Sequence, residues 1–535
     1  MSAIADEPPL AEGPALLRWL GFAAMALGLF MSILDMQIVA TSLPVIQASL
    51  RLDPQQMSWI QTAYIIAEVV SIPITGFLTR VLTMRGLFVV GVLAFVVASA
   101  GCAASGGFAG LIVWRVIQGF AAGTLIPAVF SAVFLLFPPS REAFATSIAG
   151  VLAVLAPTIG PIVGGYVTQT FNWHWLFLIN VVPGLAAAAI GFACLPREVT
   201  RLALVRALDL IGLAALAAAL TSLVLALKLA PDHGWASMPV AALLVLTLAS
   251  AVLFVRRSLT SASPVADLRV LADARVAAGC ALNFVFGFGL FGSVFLMPVF
   301  LILVRGHNAL DTGRVMLVTG VAQLLAAPVA VVLEKRIEPR TLSLFGFTLF
   351  GVGLLMSGHA TPDTDYPGMF AGQAVRGAAV MFCLLPPTRL ALGHLPLAAV
   401  PNASGLFNVT RNLGGAIGLA LIDTIMFGRT PIWGRWIVQR LLAGDVSVAR
   451  AVGIPIDDFL AARGQPIDAD TRELLRPMVE KLALVHAMNE AWLAVAAITI
   501  VAGVAIIAWL VATERSRTRG ARRTREAMTW DHAGA

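Results

Sequence analysis

The chain has 535 residues, 59% of them hydrophobic and only 12% charged, with a mean hydropathy of +0.89. Soluble globular proteins carry about 25% charged residues, so the composition excludes a soluble enzyme or binding domain and places the chain in a membrane. The net charge of +7 is basic, but the position of the charges matters more than their sum.

Residues 1–18 hold Asp6, Glu7 and Glu12 and precede a long apolar run, which reads as a first membrane helix rather than a cleaved signal peptide. Apolar runs of roughly 20 residues or more, each enough to span a bilayer as a helix, number fourteen. They lie near 19–44, 57–79, 86–105, 107–136, 144–168, 175–195, 208–230, 238–256, 276–304, 313–334, 341–359, 367–390, 404–427 and 490–512. Cys102, Cys194, Cys280 and Cys383 fall inside these spans without metal spacing and read as small core residues.

With the N-terminus in the cytoplasm, the inner connections hold fourteen Lys and Arg, from Arg80 to Arg389, and the tail adds Arg515, Arg517, Arg519, Arg522, Arg523 and Arg525. The short outer connections hold Arg51, Arg305 and Arg314, with Lys228 at a helix end. This asymmetry predicts that both termini are cytoplasmic. The tail reads as a topology determinant and a contact for lipid headgroups, not a nucleic-acid site.

An internal repeat predicts a two-bundle design. Gln118-Gly119 and Pro127 of the fourth span are echoed by Arg376-Gly377 and Pro386 of the twelfth, and Gly150 and Gly160 of the fifth by Gly405 and Gly415 of the thirteenth. The division expected is a cytoplasmic N-terminus (1–18), a six-helix bundle (19–206), two inserted helices (207–257), a second six-helix bundle (258–512) and a basic cytoplasmic tail (513–535). The second bundle includes a long outer connection, 428–489, with Pro431, Gly444, Gly453, Pro466 and amphipathic runs. Asp470-Thr471-Arg472-Glu473 within it resembles a capping box. The connection reads as a helical cap over the outer mouth or as a docking surface for a periplasmic partner.

An ionisable side chain near the bilayer centre costs at least roughly 2.5–3.5 kcal/mol, so it faces a cavity or a partner. Asp35 in the first span and Arg115 in the fourth fall at similar depth at 1.5 Å rise per residue, which makes an ion pair geometrically feasible. Glu68 falls near the middle of the second span with no obvious permanent partner at its depth, a setting suited to reversible protonation. Arg376 and Arg411 are candidates to line a cavity or to hold loops and backbone carbonyls, and Asp423, near the outer end of its span, is a candidate second acid. Phe284, Phe288, Phe291 and Phe295 form a stripe with Asn283 beside it. Such a stripe is usually packing, but facing a cavity it would suit flat hydrophobic or cationic compounds. Trp173 and Trp175 read as interfacial belt residues.

The fifth span carries Gly150, Pro157, Gly160, Pro161, Gly164 and Gly165 in one apolar helix. In a membrane bundle the glycines permit close backbone approach, and neighbouring helices satisfy a proline kink. This pattern closely resembles the antiporter motif of major facilitator exporters. Leu34-Asp35-Met36-Gln37-Ile38-Val39-Ala40-Thr41-Ser42-Leu43-Pro44 is similar to the Leu-Asp-x-Thr-Ile-Val-Asn-x-Ala-Leu-Pro signature of the fourteen-helix drug:proton antiporters, the EmrB/QacA type. Gln37 and Ala40 stand where that signature has Thr and Asn. Arg115-Val116-Ile117-Gln118-Gly119 matches the motif whose arginine that family links to proton transfer, and Gly405 to Gly415 also looks like this family. The loop after the second span departs from the superfamily gating motif Gly-x-Leu-Ala-Asp-Arg-x-Gly-Arg-Arg. Here it reads Gly76-Phe77-Leu78-Thr79-Arg80-Val81-Leu82-Thr83-Met84-Arg85, with Arg80 for the acid and Thr83 for the second glycine.

The resemblance implies an all-α integral membrane protein of the major facilitator fold, with two six-helix bundles and two inserted helices. It implies proton-driven efflux of amphipathic or hydrophobic drugs across a bacterial inner membrane, with Asp35, Glu68 and Arg115 in proton coupling. Gln37, Gln118, Asn283, Phe284, Phe288, Arg376, Arg411 and Asp423 are the cavity candidates. No Walker loop is present, so an ion gradient is the expected energy source, with the proton as coupling ion and no cofactor. The expected partners are a small-molecule substrate and lipids, with a periplasmic adaptor and an outer-membrane channel in a two-membrane cell. The alternatives are an exporter or importer of one metabolite, such as a siderophore or fatty acid, and a non-transporting membrane sensor. Seven scattered histidines without metal spacing argue against an enzyme or a metal site.

Overall fold

Each apolar run becomes a helix whose backbone satisfies itself, as a bilayer demands. The structure is a computed structural model describing residues 14–52, 54–201, 203, 209–261, 263–461 and 469–533. Residues 1–13, Arg206 and Pro466 lie outside the described residues. So do the side chains of Thr41, Pro44, Pro161, Asp470, Thr471 and Arg472, and those of the tail arginines from Arg517 on.

The chain begins with α1 (Ala15–Leu50) and a helical stretch Pro54–Ala103, which breaks at Thr83 into α2 (54–82) and α3 (84–103). There follow α4 (Phe108–Leu136), α5 (Pro139–Thr170) and, after one turn at Trp175–Leu178, α6 (Val181–Cys194). The inserted pair is α7 (Leu210–His233) and α8 (Met238–Thr260). Then come α9 (Ala274–Leu303), α10 (Ala309–Glu334), α11 (Pro339–Ser357), α12 (Tyr366–Leu392) and α13 (Val400–Leu442). Two short helices, α14 (Val446–Val452) and α15 (Ile456–Ala461), precede α16 (Ala469–Ala533). Aspartates and an asparagine start several of them: Asp209, Asp273 and Asn308 accept backbone N–H bonds at the heads of α7, α9 and α10.

Among the described residues twelve helices are long and apolar enough to cross a membrane, or thirteen counting the bent α5 as one span. One of the twelve, Trp59–Ala103, is 45 residues long, about twice what a bilayer needs, and it is two spans. Contacts along α4 prove the reversal. Gly119 and Gly123 meet Tyr64 and Glu68 of α2, in parallel order, whereas Gly91 and Gly101 of α3 meet Thr124 and Trp114, in antiparallel order. Dividing at Thr83 gives fourteen, matching the apolar runs.

Thr83 has φ 70° and ψ 165°, a region essentially reserved for glycine, and it stands where the gating motif has its second glycine. Its Oγ1 accepts the Gly86 N–H at 3.2 Å and caps α3. Thr83→Gly is expected to remove about 1–3 kcal/mol of strain and to lose about 1 kcal/mol of cap, so the thermal unfolding midpoint should rise. A lowered midpoint would contradict strain at this turn.

Helices α1–α6 pack on one another, as do α9–α13 with α16. Two seams related by the internal repeat join the groups. At one, Gly76 of α2 abuts Asn402 of α13 and Gly405 abuts Ile72 and Pro73; at the other, Gln323 of α10 donates to the Gly150 carbonyl of α5 at 3.0 Å. Helix α7 and the turn that joins it to α8 touch both groups: Lys228 donates to Thr62 of α2 at 2.6 Å and Trp235 of the turn to Thr424 of α13 at 3.0 Å. Asp209 and Arg257 clamp the pair at 2.8 and 3.1 Å, and this guanidinium holds the Asp209 carboxyl below the usual carboxylate range.

The connection expected over 428–489 is largely helix. α13 continues through Pro431 to Leu442 and α16 starts at Ala469, well before the apolar run, because Ile437, Leu441, Val448, Val452, Val479 and Leu482 build a small core of their own. Trp173 is not an interfacial belt residue: it is 3% exposed and its indole N–H donates to Ser49 at 2.9 Å, pinning the end of α1. Trp175 is exposed.

Candidate functional site

The first group of helices is organised on α4, most of whose residues are buried. Its Arg115 has no exposed surface, and neither has Asp35 of α1. Arg115 Nη1 donates to Asp35 Oδ2 at 2.7 Å and to Gln118 Oε1 at 2.7 Å, while Arg115 Nε donates to the Ile60 carbonyl at 3.2 Å. The other carboxylate oxygen, Oδ1, accepts from Asn180 at 2.7 Å and Gln118 at 3.0 Å. Gln118 Nε2 also reaches Ser99 at 2.8 Å, and the guanidinium lies 4.2 Å above the Tyr64 ring. Both carboxylate oxygens thus carry donors, from α4 and from the turn before α6. A proton arriving on Oδ2 would have to displace Arg115. Such a pair holds a charge in the membrane only while it stays intact, and breaking it releases Arg115 to other acceptors.

The ion pair lies where helix rise puts it. Gln118 does not line a cavity as expected; it is fully buried and serves Asp35, because a carboxylate at that depth needs more donors than one arginine offers. Asn180, Ser99 and Tyr64 are network members that the residue pattern did not single out. Asn180 sits at the turn before α6, and the α4 motif alone says nothing of it.

Glu68 of α2 is 9% exposed, and no hydrogen bond to its carboxylate is present among the described residues. No ion pair of Glu68 is present among the described residues either; the charges that act on it through space are Arg411 of α13, across the seam, and then Arg115. Arg411 donates to Asn408 at 2.9 Å and stands 5.6 Å from the Phe130 ring of α4, so it belongs to one group of helices and faces the other.

The remaining candidates separate. Gly160 packs on the stem of half-buried Gln37, and Gly150 on Leu384 and Met381 of α12, so two motif glycines of α5 bring helices from both groups close. Gly164 and Gly165 are buried and Pro157 half-buried. Asn283 is wholly buried and donates to the Phe407 carbonyl at 2.6 Å. Phe284, Phe288 and Phe291 pack against Gly414, Gly418 and Gly415 of α13. Asn283 and Phe288 therefore fill the α9–α13 seam instead of opening on a cavity, since three glycines on α13 leave room there for rings. Arg376 is buried inside the second group, and Asp423 is half-buried towards the end of α13 that carries the helical projection.

The motif loop after α2 lacks the acid of the gating relay, and other contacts join this face. The Asn402 side chain donates to the Asp267 carbonyl at 2.9 Å and accepts its N–H at 2.8 Å, directly beneath Gly76. Arg80 reaches the Pro264 carbonyl at 3.5 Å.

Comparison with known proteins identifies the family and the fold. The family model for the Major Facilitator Superfamily matches residues 25–419. The colistin resistance protein EmrB of Acinetobacter baumannii is 37% identical over 412 residues, 77% of this chain and 80% of its own length. The multidrug export protein EmrB of Escherichia coli K12 is 30% identical over 408 residues, 76% and 80% of the two chains. Among solved structures, the human organic anion transporter MFSD10 superposes with a TM-score of 0.57 at 13% identity, covering 92% of this chain and all of that one, which shows the shared fold. The chain is a multi-pass membrane protein and not an enzyme, and it belongs to the major facilitator superfamily, in its EmrB-type branch.

Proposed function

We propose that this protein exports amphipathic or hydrophobic toxic compounds across the bacterial inner membrane in exchange for protons. The observation that carries the reading is the buried Asp35–Arg115 pair, wired through Gln118 and Asn180, with a second buried carboxylate, Glu68, in the same group of helices. Buried ionisable groups in a membrane are functional by default, because their cost is retained only for use. The division of labour we infer gives Glu68 the seam-facing proton site and Asp35 the switch that frees or holds Arg115. Protonation from the outside weakens substrate binding and releases substrate outward, and the inward-facing state then loses the proton.

The moving units in this reading are the two six-helix groups, with α7 and α8 as the insert. The Lys and Arg asymmetry supports cytoplasmic termini. The projection of α13, α14, α15 and α16 then lies outside, where a periplasmic adaptor leading to an outer-membrane channel would meet it. Similarity to the two EmrB proteins supports drugs over a single metabolite as the substrate class.

Inside-out vesicles loaded with an acidic lumen test the reading. A lipophilic cation such as ethidium should accumulate in vesicles carrying the protein and leave when an uncoupler collapses the gradient. Accumulation indifferent to the pH gradient would overturn antiport.

A further inference from the structure

The second group of helices contains a counterpart of the Asp35 site from which the carboxylate is missing. Helix contacts fix the correspondence. Gly119 of α4 rests on the Tyr64 carbonyl and Gly377 of α12 on the Thr319 carbonyl. Counting back one and four residues from each glycine, Gln118 and Arg115 correspond to Arg376 and Gln373, the same two side chains in exchanged positions. Gly160 of α5 rests on Gln37 and Gly415 of α13 on Phe291. Two residues back from each partner, Asp35 corresponds to Gly289.

Arg376 is 3% exposed and Gln373 fully buried. Arg376 Nη2 donates to Thr319 Oγ1 at 3.3 Å, and Thr319 donates to Gln373 Oε1 at 3.2 Å. Arg376 Nη1 and Gln373 Nε2 have no partner among the described residues, and no carboxylate there offsets the charge. The guanidinium stands 5.4 Å from the Trp492 ring. Gly289 abuts the Phe350 ring, and Arg376 and Thr319 line a cavity of about 10 Å³ with that Phe350, Leu290 and Ser293. That is room for one small ligand atom or group.

A permanent cation buried without a counter-charge is strongly unfavourable, whereas one anion bound in the cavity that Arg376 lines would cancel the charge. We propose that Arg376, positioned through Thr319 and Gln373, forms a binding site for a single small monoanionic group, either a free halide or the carboxylate head of an amphipath. The site stands on its own residues and does not depend on proton coupling through Asp35.

Thermal unfolding of the purified full-length protein tests this, at fixed ionic strength with gluconate as the reference anion. If the anion is free, chloride replacing gluconate should raise the unfolding midpoint saturably by a few degrees in the parent. If it arrives on an amphipath, dodecanoate should do so while dodecanol does not. Arg376→Gln and Thr319→Val should lose the response, and Arg376→Lys should keep a weaker one. Arg376→Gln should also melt higher than the parent in gluconate, because it removes the unpaired charge, which separates loss of the site from loss of the fold. A parent that responds to neither chloride nor dodecanoate, or an equal response in Arg376→Gln, would overturn the site.

Discussion

Asp35→Asn is expected to abolish proton-driven exchange, lowering its rate by about a hundredfold or more, the scale of the roughly 3 kcal/mol lost with one member of the buried pair that switches Arg115. The amide keeps the volume and can still accept on one atom, but it cannot balance Arg115. The guanidinium would be left buried at 0% exposure with Gln118 and the Ile60 carbonyl as acceptors. Removing one member of a buried ion pair costs about 3–5 kcal/mol, so the variant should also unfold at a lower temperature. The double variant Asp35→Asn/Arg115→Gln separates the two effects. It should regain most of the lost stability, because no unpaired charge remains, and should stay inactive. Restored exchange in the double variant would mean that the pair is structural only.

Glu68→Gln is expected to bind substrate and to lose the pH dependence of binding. If substrate and one proton compete through Glu68, the parent's apparent Kd should rise about tenfold for each pH unit on the acid side of the titration. The variant's Kd should be flat over the same range. Arg411 of the opposite helix group acts on this carboxylate through space, so neutralising Glu68 changes the charge balance across the seam. Equilibrium binding of a fluorescent substrate between pH 5 and 8 reads both. An unchanged slope in Glu68→Gln would place the proton elsewhere.

Much of the fold was legible because hydropathy and helix rise are local properties. Fourteen spans, the reversal after α2 and the shared depth of Asp35 and Arg115 all follow from counting residues along helices. Contacts between distant parts of the chain were not legible. Arg411 is 343 residues from Glu68, and no local pattern links them. Gln118 looked like a cavity residue because a polar side chain in a span signals either a cavity or a buried partner, and only the tertiary contact with Asp35 and Ser99 decides. The α9 phenylalanines were ambiguous for the same reason until the facing glycines of α13 were in view. The extensions of α13 and α16 were missed because hydropathy ends where the bilayer ends, whereas a helix continues if its apolar stripe finds a partner. The periodic Ile437, Leu441, Val479 and Leu482 carried that signal. Thr83 is the opposite case, since the missing glycine was visible in the sequence and its backbone cost only in the structure.

Substrate-induced proton movement in proteoliposomes tests the central claim most directly, with the parent beside Asp35→Asn and Glu68→Gln and a panel of cationic, neutral and anionic amphipaths as probes. The account predicts that adding a transported compound to the parent moves protons in the opposite direction, and that the movement disappears in both variants while Glu68→Gln still binds the compound. Transport by the parent without proton movement, or full proton movement in both variants, would contradict it.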